Sequence, residues 1–131
     1  MNEKVAQLVA EWDEVYKKGQ LSLWVLLAIY ESKKYAAEII EFMQVVSGNE
    51  FQVKEQSLYR ALRRFTGMGL VKVSEEASPN SGPKRKYYSL TPLGVAVLRE
   101  FTIRNISPLL TNQVTTLLHA VESENTPYEN C

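Results

Sequence analysis

The chain has 131 residues, of which 45% are hydrophobic and 23% are charged, and its formal net charge is zero. This length fits one domain with a sizeable core, and the composition is that of an ordinary soluble globular protein rather than a disordered one. We expect no internal disulfide and no metal cluster, because the only cysteine is Cys131 in a polar C-terminal segment.

The first elements are predicted to be helices with no membrane role. The longest apolar run, Leu23 to Tyr30, is too short to cross a bilayer, so we expect a cytoplasmic protein. Apolar residues recur at three- and four-residue steps from Glu3 to Lys18, which predicts a first helix that ends at Gly19. The segment Leu21–Tyr30 is apolar on nearly every side and predicts a second, buried helix.

A third helix is predicted from Tyr35 to Val46, before the break at Ser47-Gly48-Asn49. A fourth helix follows from about residue 56. Its core face is predicted by the helical spacing of Leu58, Ala61, Leu62 and Phe65.

The other face of this fourth helix carries groups suited to nucleic acid. Arginine forks bridge guanine acceptors or clamp phosphates, glutamine pairs with adenine, and hydroxyl groups reach phosphate oxygens. No acidic residue lies between Gln56 and Gly69 to pair with the arginines. The residues predicted to contact DNA from this helix are Gln56, Ser57, Tyr59, Arg60, Arg63 and Arg64.

A two-stranded wing is predicted after this helix. Leu70–Val73 reads as one strand and Tyr87–Leu90 as the returning strand, with one tyrosine on each face. Between them lies a loop rich in Pro, Gly and Asn, which ends in a basic arm that we expect to contact DNA through Lys84, Arg85 and Lys86. The predicted DNA-binding set also includes Tyr35, at the start of the third helix.

The distribution of charge favours this interpretation. Residues 54–86 hold eight Lys or Arg and three Glu, whereas residues 1–53 and 87–131 each carry a net negative charge. Positive charge concentrated in one supersecondary unit attracts polyanions, while the remainder of the chain resists indiscriminate binding.

The C-terminal segment predicts dimerisation. Thr91-Pro92 is typical of a helix start. The apolar residues beyond it keep helical spacing over a longer stretch than a small domain needs to cover its own core. Pro108 either kinks one long helix near Ser107 or begins a second helix capped by Ser107. We expect these apolar residues to pack against the same helix of a second chain. The alternative is that they fold back onto their own chain. The predicted dimerisation residues are Leu8, Trp12, Phe101, Leu110, Val114, Leu117 and Val121.

These elements predict a mainly α fold with a small two-stranded β wing. It is a winged helix-turn-helix with N- and C-terminal dimerisation helices. Residues 1–91 are expected to form the DNA-binding domain, residues 92–122 a dimerisation helix or kinked helix pair, and residues 123–131 a loose tail.

The sequence resembles the PadR family of transcriptional regulators over about residues 19–98. The motifs that carry the resemblance are Leu21–Leu27, Tyr35–Ile39, Ser57–Phe65, Gly69–Val71 and Arg85–Gly94. The resemblance implies a homodimeric repressor that binds a roughly palindromic operator, with a dimer built by the C-terminal helix and often an N-terminal one. It also implies a small aromatic effector near the dimer interface, for which Trp12 and Trp24 are candidates, with core packing as their alternative role. Two departures are Ala36, where a glycine is usual, and Lys54-Glu55, where a Ser, Thr or Asp cap is expected.

Other classes of function fit less well. An enzyme is not expected, because there is one histidine, no glycine-rich phosphate loop and no paired acids on a defined scaffold, and no cofactor is predicted. A winged helix that binds protein rather than DNA is the main alternative, favoured by the neutral net charge. A single-stranded nucleic-acid binder that stacks bases on Tyr59, Tyr87 and Tyr88 is a third.

Overall fold

The structure of the chain, a computed structural model, describes residues 2–79 and 82–125. The described chain is mainly helical with one antiparallel β hairpin, which confirms the predicted fold class. In chain order the elements are α1 (Glu3–Glu31), α2 (Ala36–Val46), α3 (Glu55–Gly67), β1 (Val71–Glu76), β2 (Arg85–Leu90), α4 (Pro92–Asn105), a 3-10 turn (Ser107–Leu110) and α5 (Asn112–Glu122).

Helix α1 runs without interruption through Gly19, so the predicted end at this glycine is wrong. Gly19 does not adopt the left-handed conformation that ends many helices; in the described residues that conformation occurs at Gly48, Asn49 and Gly69. A glycine inside a helix costs about 1 kcal/mol relative to alanine, and good helix formers on both sides offset that cost here. The predicted second helix, Leu21–Tyr30, is therefore the second half of α1.

The core lies between this second half of α1, α2, α3 and the hairpin. The face of α3 predicted from its spacing is confirmed, since Leu58, Ala61, Leu62 and Phe65 are all buried. The two halves of α1 differ sharply in burial, because its buried residues are confined to the segment from Val25 to Ile29. The first half extends from the core as a largely exposed rod.

The hairpin has a regular register in which Val71 pairs with Leu90 and Glu76 pairs with Arg85. Its first strand extends to Glu76, three residues beyond the predicted Val73. Tyr88 is buried and Tyr87 is half-buried, so the hairpin packs one face against the helices.

Helix α4 starts as predicted at Thr91-Pro92. The Thr91 hydroxyl accepts a hydrogen bond from the Gly94 amide and donates one to the Gly69 carbonyl, which joins the helix start to the turn after α3. Gly94 is buried where α4 crosses Leu70, and a Cβ there would overlap the Leu70 carbonyl oxygen.

The C-terminal segment is split rather than kinked. Pro108 lies in the 3-10 turn, and α5 begins after Thr111, whose hydroxyl accepts a hydrogen bond from the Val114 amide at 3.4 Å. Of the two predicted alternatives, the structure shows a separate second helix. Its cap is Thr111 and not Ser107.

Residues 126–131, which include Cys131 and most of the predicted tail, lie outside the described residues, as do Asn80 and Ser81 in the wing loop. Within residues 2–79 and 82–125, each helix is too short or too polar to cross a bilayer.

The continuous course of α1 predicts that Gly19→Ala stabilises the protein by about 1 kcal/mol, because a Cβ at Gly19 meets no atom within 4 Å and alanine favours a helix. Urea unfolding followed by circular dichroism measures the change. Gly94→Ala is the matched control and should destabilise the protein by about 1–3 kcal/mol through overlap with Leu70. A destabilising Gly19→Ala would contradict the continuous helix.

Candidate nucleic-acid interface

Helix α3 presents an exposed polar ridge directly opposite its buried face. With 3.6 residues per turn, Gln56, Arg60 and Arg63 stack along this ridge, and all three are exposed. Tyr59 and Thr66 flank the ridge on the side of the hairpin. Ser57 and Arg64 flank it on the side of α1.

A groove of about 480 Å³ lies between the hairpin, the start of α2 and the start of α3. Three basic side chains of the wing line it together with Tyr35, whose ring centroid lies 4.4 Å from the Arg85 guanidinium carbon. Tyr35 also contacts Tyr87 edge to face, with ring centroids 5.6 Å apart. The groove is lined by Tyr35, Ala36, Ala37, Glu55, Tyr59, Lys84, Arg85, Lys86 and Tyr88.

A second groove on the wing side, about 420 Å³ in volume, joins α3 to β2. Tyr59, Lys86 and Tyr88 line both grooves, so the two are continuous. Burial raises the pKa of Tyr88, the nearby Tyr59 raises it further, and the Arg63 guanidinium opposes the shift. The structure therefore brings Arg63 of the ridge and the basic arm of the wing to one surface.

The third groove lies on the opposite side of α3, against α1, with a volume of about 640 Å³. Ser57, Arg60 and Arg64 face it from α3, and the Arg64 guanidinium donates a hydrogen bond to the Ser22 hydroxyl at 3.2 Å. The predicted DNA-binding residues are thus divided between two flanks of the ridge. They are not gathered into a single cleft.

Three basic residues of this groove were not among the predicted site residues. They are Lys17 and Lys18 of α1, and Lys54 at the α3 cap. Sequence reasoning missed the first two because they lie in a segment with net negative charge and next to an expected helix break. The adjacent Lys17-Lys18 pair was the available signal, but only the uninterrupted α1 places it beside α3.

The position of the wing depends on Lys34, which is buried. Its backbone exchanges two hydrogen bonds with Tyr88, at 3.1 and 2.8 Å, so residue 34 forms an antiparallel bridge to β2. Its ammonium group donates to the Ala28 carbonyl at 2.6 Å, to the Glu31 carboxylate at 2.9 Å and to the Ser32 hydroxyl at 3.0 Å. One residue therefore ties the end of α1 to the wing.

Carboxylates do not neutralise the candidate surface. The ion pairs in the described part of the chain involve Lys17, Lys33, Lys34 and Arg104, and none of them includes Arg60, Arg63 or Arg85. The pair between Lys33 and Glu76 joins the α1–α2 connection to β1, and the hydrogen bond from the lysine lowers the pKa of Glu76. The described residues hold no group of three side chains suited to a metal ion.

The predicted dimerisation residues lie on two exposed apolar surfaces. Leu8 and Trp12 lie on the first half of α1, where Trp12 is 74% exposed. Helix α5 buries no residue of its own, and within the described chain its main contacts are with the preceding 3-10 turn. The other predicted residues lie on α4, the 3-10 turn and α5. Of these, Phe101, Leu110, Leu117 and Val121 are exposed, and Val114 is half-buried.

The two effector candidates are not brought together. Trp12 and Trp24 are twelve residues apart on one continuous helix, about 18 Å along its axis. Trp24 packs against the core, and its buried indole nitrogen has no hydrogen-bond partner among the described residues.

Comparison with known proteins identifies similar sequences and structures. The family described as "Transcriptional regulator PadR-like family" matches residues 25–100. A curated protein of Lysinibacillus sphaericus called "Uncharacterized protein X" is 34% identical over 83 residues, which cover 63% of this chain and 75% of that protein.

Solved structures show the same similarity. A PadR-like transcriptional regulator from Bacillus cereus is 28% identical, with a TM-score of 0.60 over 82% of this chain and 96% of that one. A PadR family regulator from Eggerthella lenta is 23% identical, with a TM-score of 0.66 over 89% of this chain and 97% of that one. The second similarity bears on the fold alone.

The role of Lys34 predicts that Lys34→Met lowers the free energy of unfolding by about 1–3 kcal/mol, because three acceptors lose a buried donor. Urea unfolding monitored by tryptophan fluorescence measures this loss. The neighbouring Lys33→Met is the control, and it should move the midpoint less, since the Lys33 ion pair is exposed. Equal effects of the two substitutions would contradict the assigned role.

Proposed function

Because this chain belongs to the PadR-like family of DNA-binding transcriptional regulators, we propose that it is a homodimeric repressor. It reads a double-stranded operator with α3 and its wing. The observation that carries this proposal is the exposed ridge of Gln56, Arg60 and Arg63, which is flanked by basic grooves and opposite a fully buried face.

Residues on the ridge and on its flanks have different roles in this proposal. Gln56, Arg60 and Arg63 project furthest from the core, so they enter the major groove and read base edges. Ser57, Tyr59 and Arg64 lie on the flanks of the ridge, closer to the core, and contact phosphates. Tyr35, at the start of α2, also contacts phosphates. The wing arm of Lys84, Arg85 and Lys86 follows the adjacent backbone, where its charge adds affinity without sequence information.

Dimerisation through α1 and α5 is supported by their uncovered apolar surfaces. Trp12 and Val15 are each 74% exposed, and Val121 is 71% exposed. Monomeric soluble proteins rarely leave contiguous apolar surface of this kind, and a two-fold partner covers both surfaces at once. In such a dimer the two α3 helices enter successive major grooves of a palindromic site.

Regulation by an effector follows from the continuity of α1. Its exposed first half belongs to the proposed dimer interface, and its second half packs in the core beside α3. A small aromatic molecule that binds at the interface near Trp12, or near Trp24, changes the angle between subunits and thereby the spacing of the α3 helices. Repression consists of occupying a promoter, and the effector releases it.

The second candidate function is a winged helix that binds a protein instead of DNA, which the zero net charge favours. Salt dependence separates the two. Contacts to DNA phosphates release counterions, so affinity for duplex DNA falls steeply as salt rises.

The base-reading role of the ridge predicts that Arg60→Ala and Arg63→Ala each weaken binding to a selected operator duplex by about 1–3 kcal/mol. Fluorescence anisotropy at fixed salt measures the affinities. Arg104→Ala is the control, because Arg104 lies on α4 in an exposed pair with Glu100. Full operator affinity in both ridge variants would refute the assignment of α3.

The proposed interface predicts that Leu117→Asp combined with Val121→Asp converts a dimer into a monomer, since two uncompensated charges enter an apolar contact. Sedimentation equilibrium gives the mass. Both side chains are exposed in a single chain, so the variant should retain the parent's circular dichroism spectrum. Asn112→Asp combined with His119→Asp adds the same two charges to the opposite, exposed face of α5 and should leave the dimer intact. A parent protein that sediments as a monomer would contradict the proposal.

A further inference from the structure

We infer that α1 is a third DNA-contacting element. The groove between α1 and α3 holds sugar-phosphate backbone on the side of α3 opposite to the wing, and Lys18 and Lys54 bind its phosphates. This inference rests on the proposed function, because the same duplex occupies the ridge and the groove.

The groove is continuous with the proposed base-reading surface. Arg60 belongs to the exposed ridge of α3 and also lines the groove, so a duplex seated on the ridge passes directly over the groove. The hydrogen bond from Arg64 to Ser22 fixes α1 beside α3 at this level. Ser22 is one helical turn beyond Lys18, so Lys18 stands at the rim.

The charge of the groove fits a polyanion. Five cationic side chains line it against one carboxylate, that of Glu14. The cationic residues are Lys17, Lys18, Lys54, Arg60 and Arg64. Such an excess within a chain of zero net charge concentrates positive potential on this side of α3.

Two of the three lysines are available for a partner that the chain itself does not supply. Lys17 donates to the Glu50 carbonyl at 3.3 Å and lies 3.9 Å from the Asp13 carboxylate. Lys18 and Lys54 are exposed and belong to none of the ion pairs in the described residues. They are therefore the lysines assigned to phosphate.

The shape of the groove fits a nucleic-acid backbone better than a compact anion. Its floor is apolar, formed by Leu21, Phe51, Val53 and Ala61, and its charges are contributed by side chains on two different helices and the α3 cap. A volume of about 640 Å³ in an open groove suits an extended chain with charges at intervals. The backbone of a duplex has this form, with sugars between its phosphates.

The experiment measures how affinity for duplex DNA depends on salt. The probe is a labelled duplex of about 30 base pairs, near three helical turns, selected from a random pool by the parent protein. The variant is Lys18→Gln combined with Lys54→Gln. The slope of log affinity against log salt should become shallower by about 3.6, since the proposed dimer loses four phosphate contacts and each removes about 0.9.

Two controls separate local contact from net charge. Lys4→Gln combined with Arg99→Gln removes the same charge from residues that do not line the groove, and it should keep the parent slope. Lys4 lies fourteen residues before Lys18 on α1, about 21 Å away. Lys18→Arg combined with Lys54→Arg retains both charges and should also keep the parent slope.

The outcomes distinguish this inference from the function on which it rests. If the groove variant keeps the parent slope while Arg60→Ala loses affinity, α1 is not a DNA-contacting element, and the proposed function stands. If Lys4→Gln combined with Arg99→Gln loses as much slope as the groove variant, net charge is the cause and the inference is overturned. A parent protein whose duplex binding ignores salt would refute the proposed function itself.

Discussion

The bridge between Lys34 and Tyr88 ties the wing to the helical part of the proposed DNA-binding surface. An isolated two-stranded hairpin is marginally stable in water, so the wing requires support from the helices. Lys34 provides this support in two ways. Its backbone pairs with β2, and its ammonium group donates hydrogen bonds to Ala28 and Glu31 at the end of α1. Since Tyr88 also lines the grooves beside Arg63, the same contact fixes the basic arm relative to the ridge of α3.

The second organising feature is the uninterrupted α1. It joins an apolar, exposed half to a half buried beside α3. In the proposed dimer, a change in how the two chains pack is therefore transmitted to α3 as a rigid movement. It also explains how a chain of zero net charge presents a basic surface. Positive groups from α1, α3 and the wing meet around one helix, whereas Glu14 and Glu55 are the acidic residues that line the same two grooves.

Much of the fold follows from local signals. The buried face of α3 was predictable from its spacing, and the start of α4 from Thr91-Pro92, because each depends on neighbouring residues alone. The course of α1 through Gly19 was not predictable, since glycine ends many helices but is also tolerated inside them. The cap of α5 was misplaced for a similar reason, as Ser107 and Thr111 are both plausible caps near Pro108. The basic groove and the role of Lys34 depend on contacts between distant segments, which spacing does not reveal.

The central claim is that α3 and the wing form one DNA-binding surface held together by the Lys34 bridge. Hydrogen–deuterium exchange of the parent protein, with and without its selected duplex, tests this claim most directly. The account predicts that the duplex slows exchange in α3 and in residues 84–88 of the wing over the same range of DNA concentration, while α5 is unchanged. Protection confined to α3 with an unaffected wing, or protection confined to α5, would contradict it.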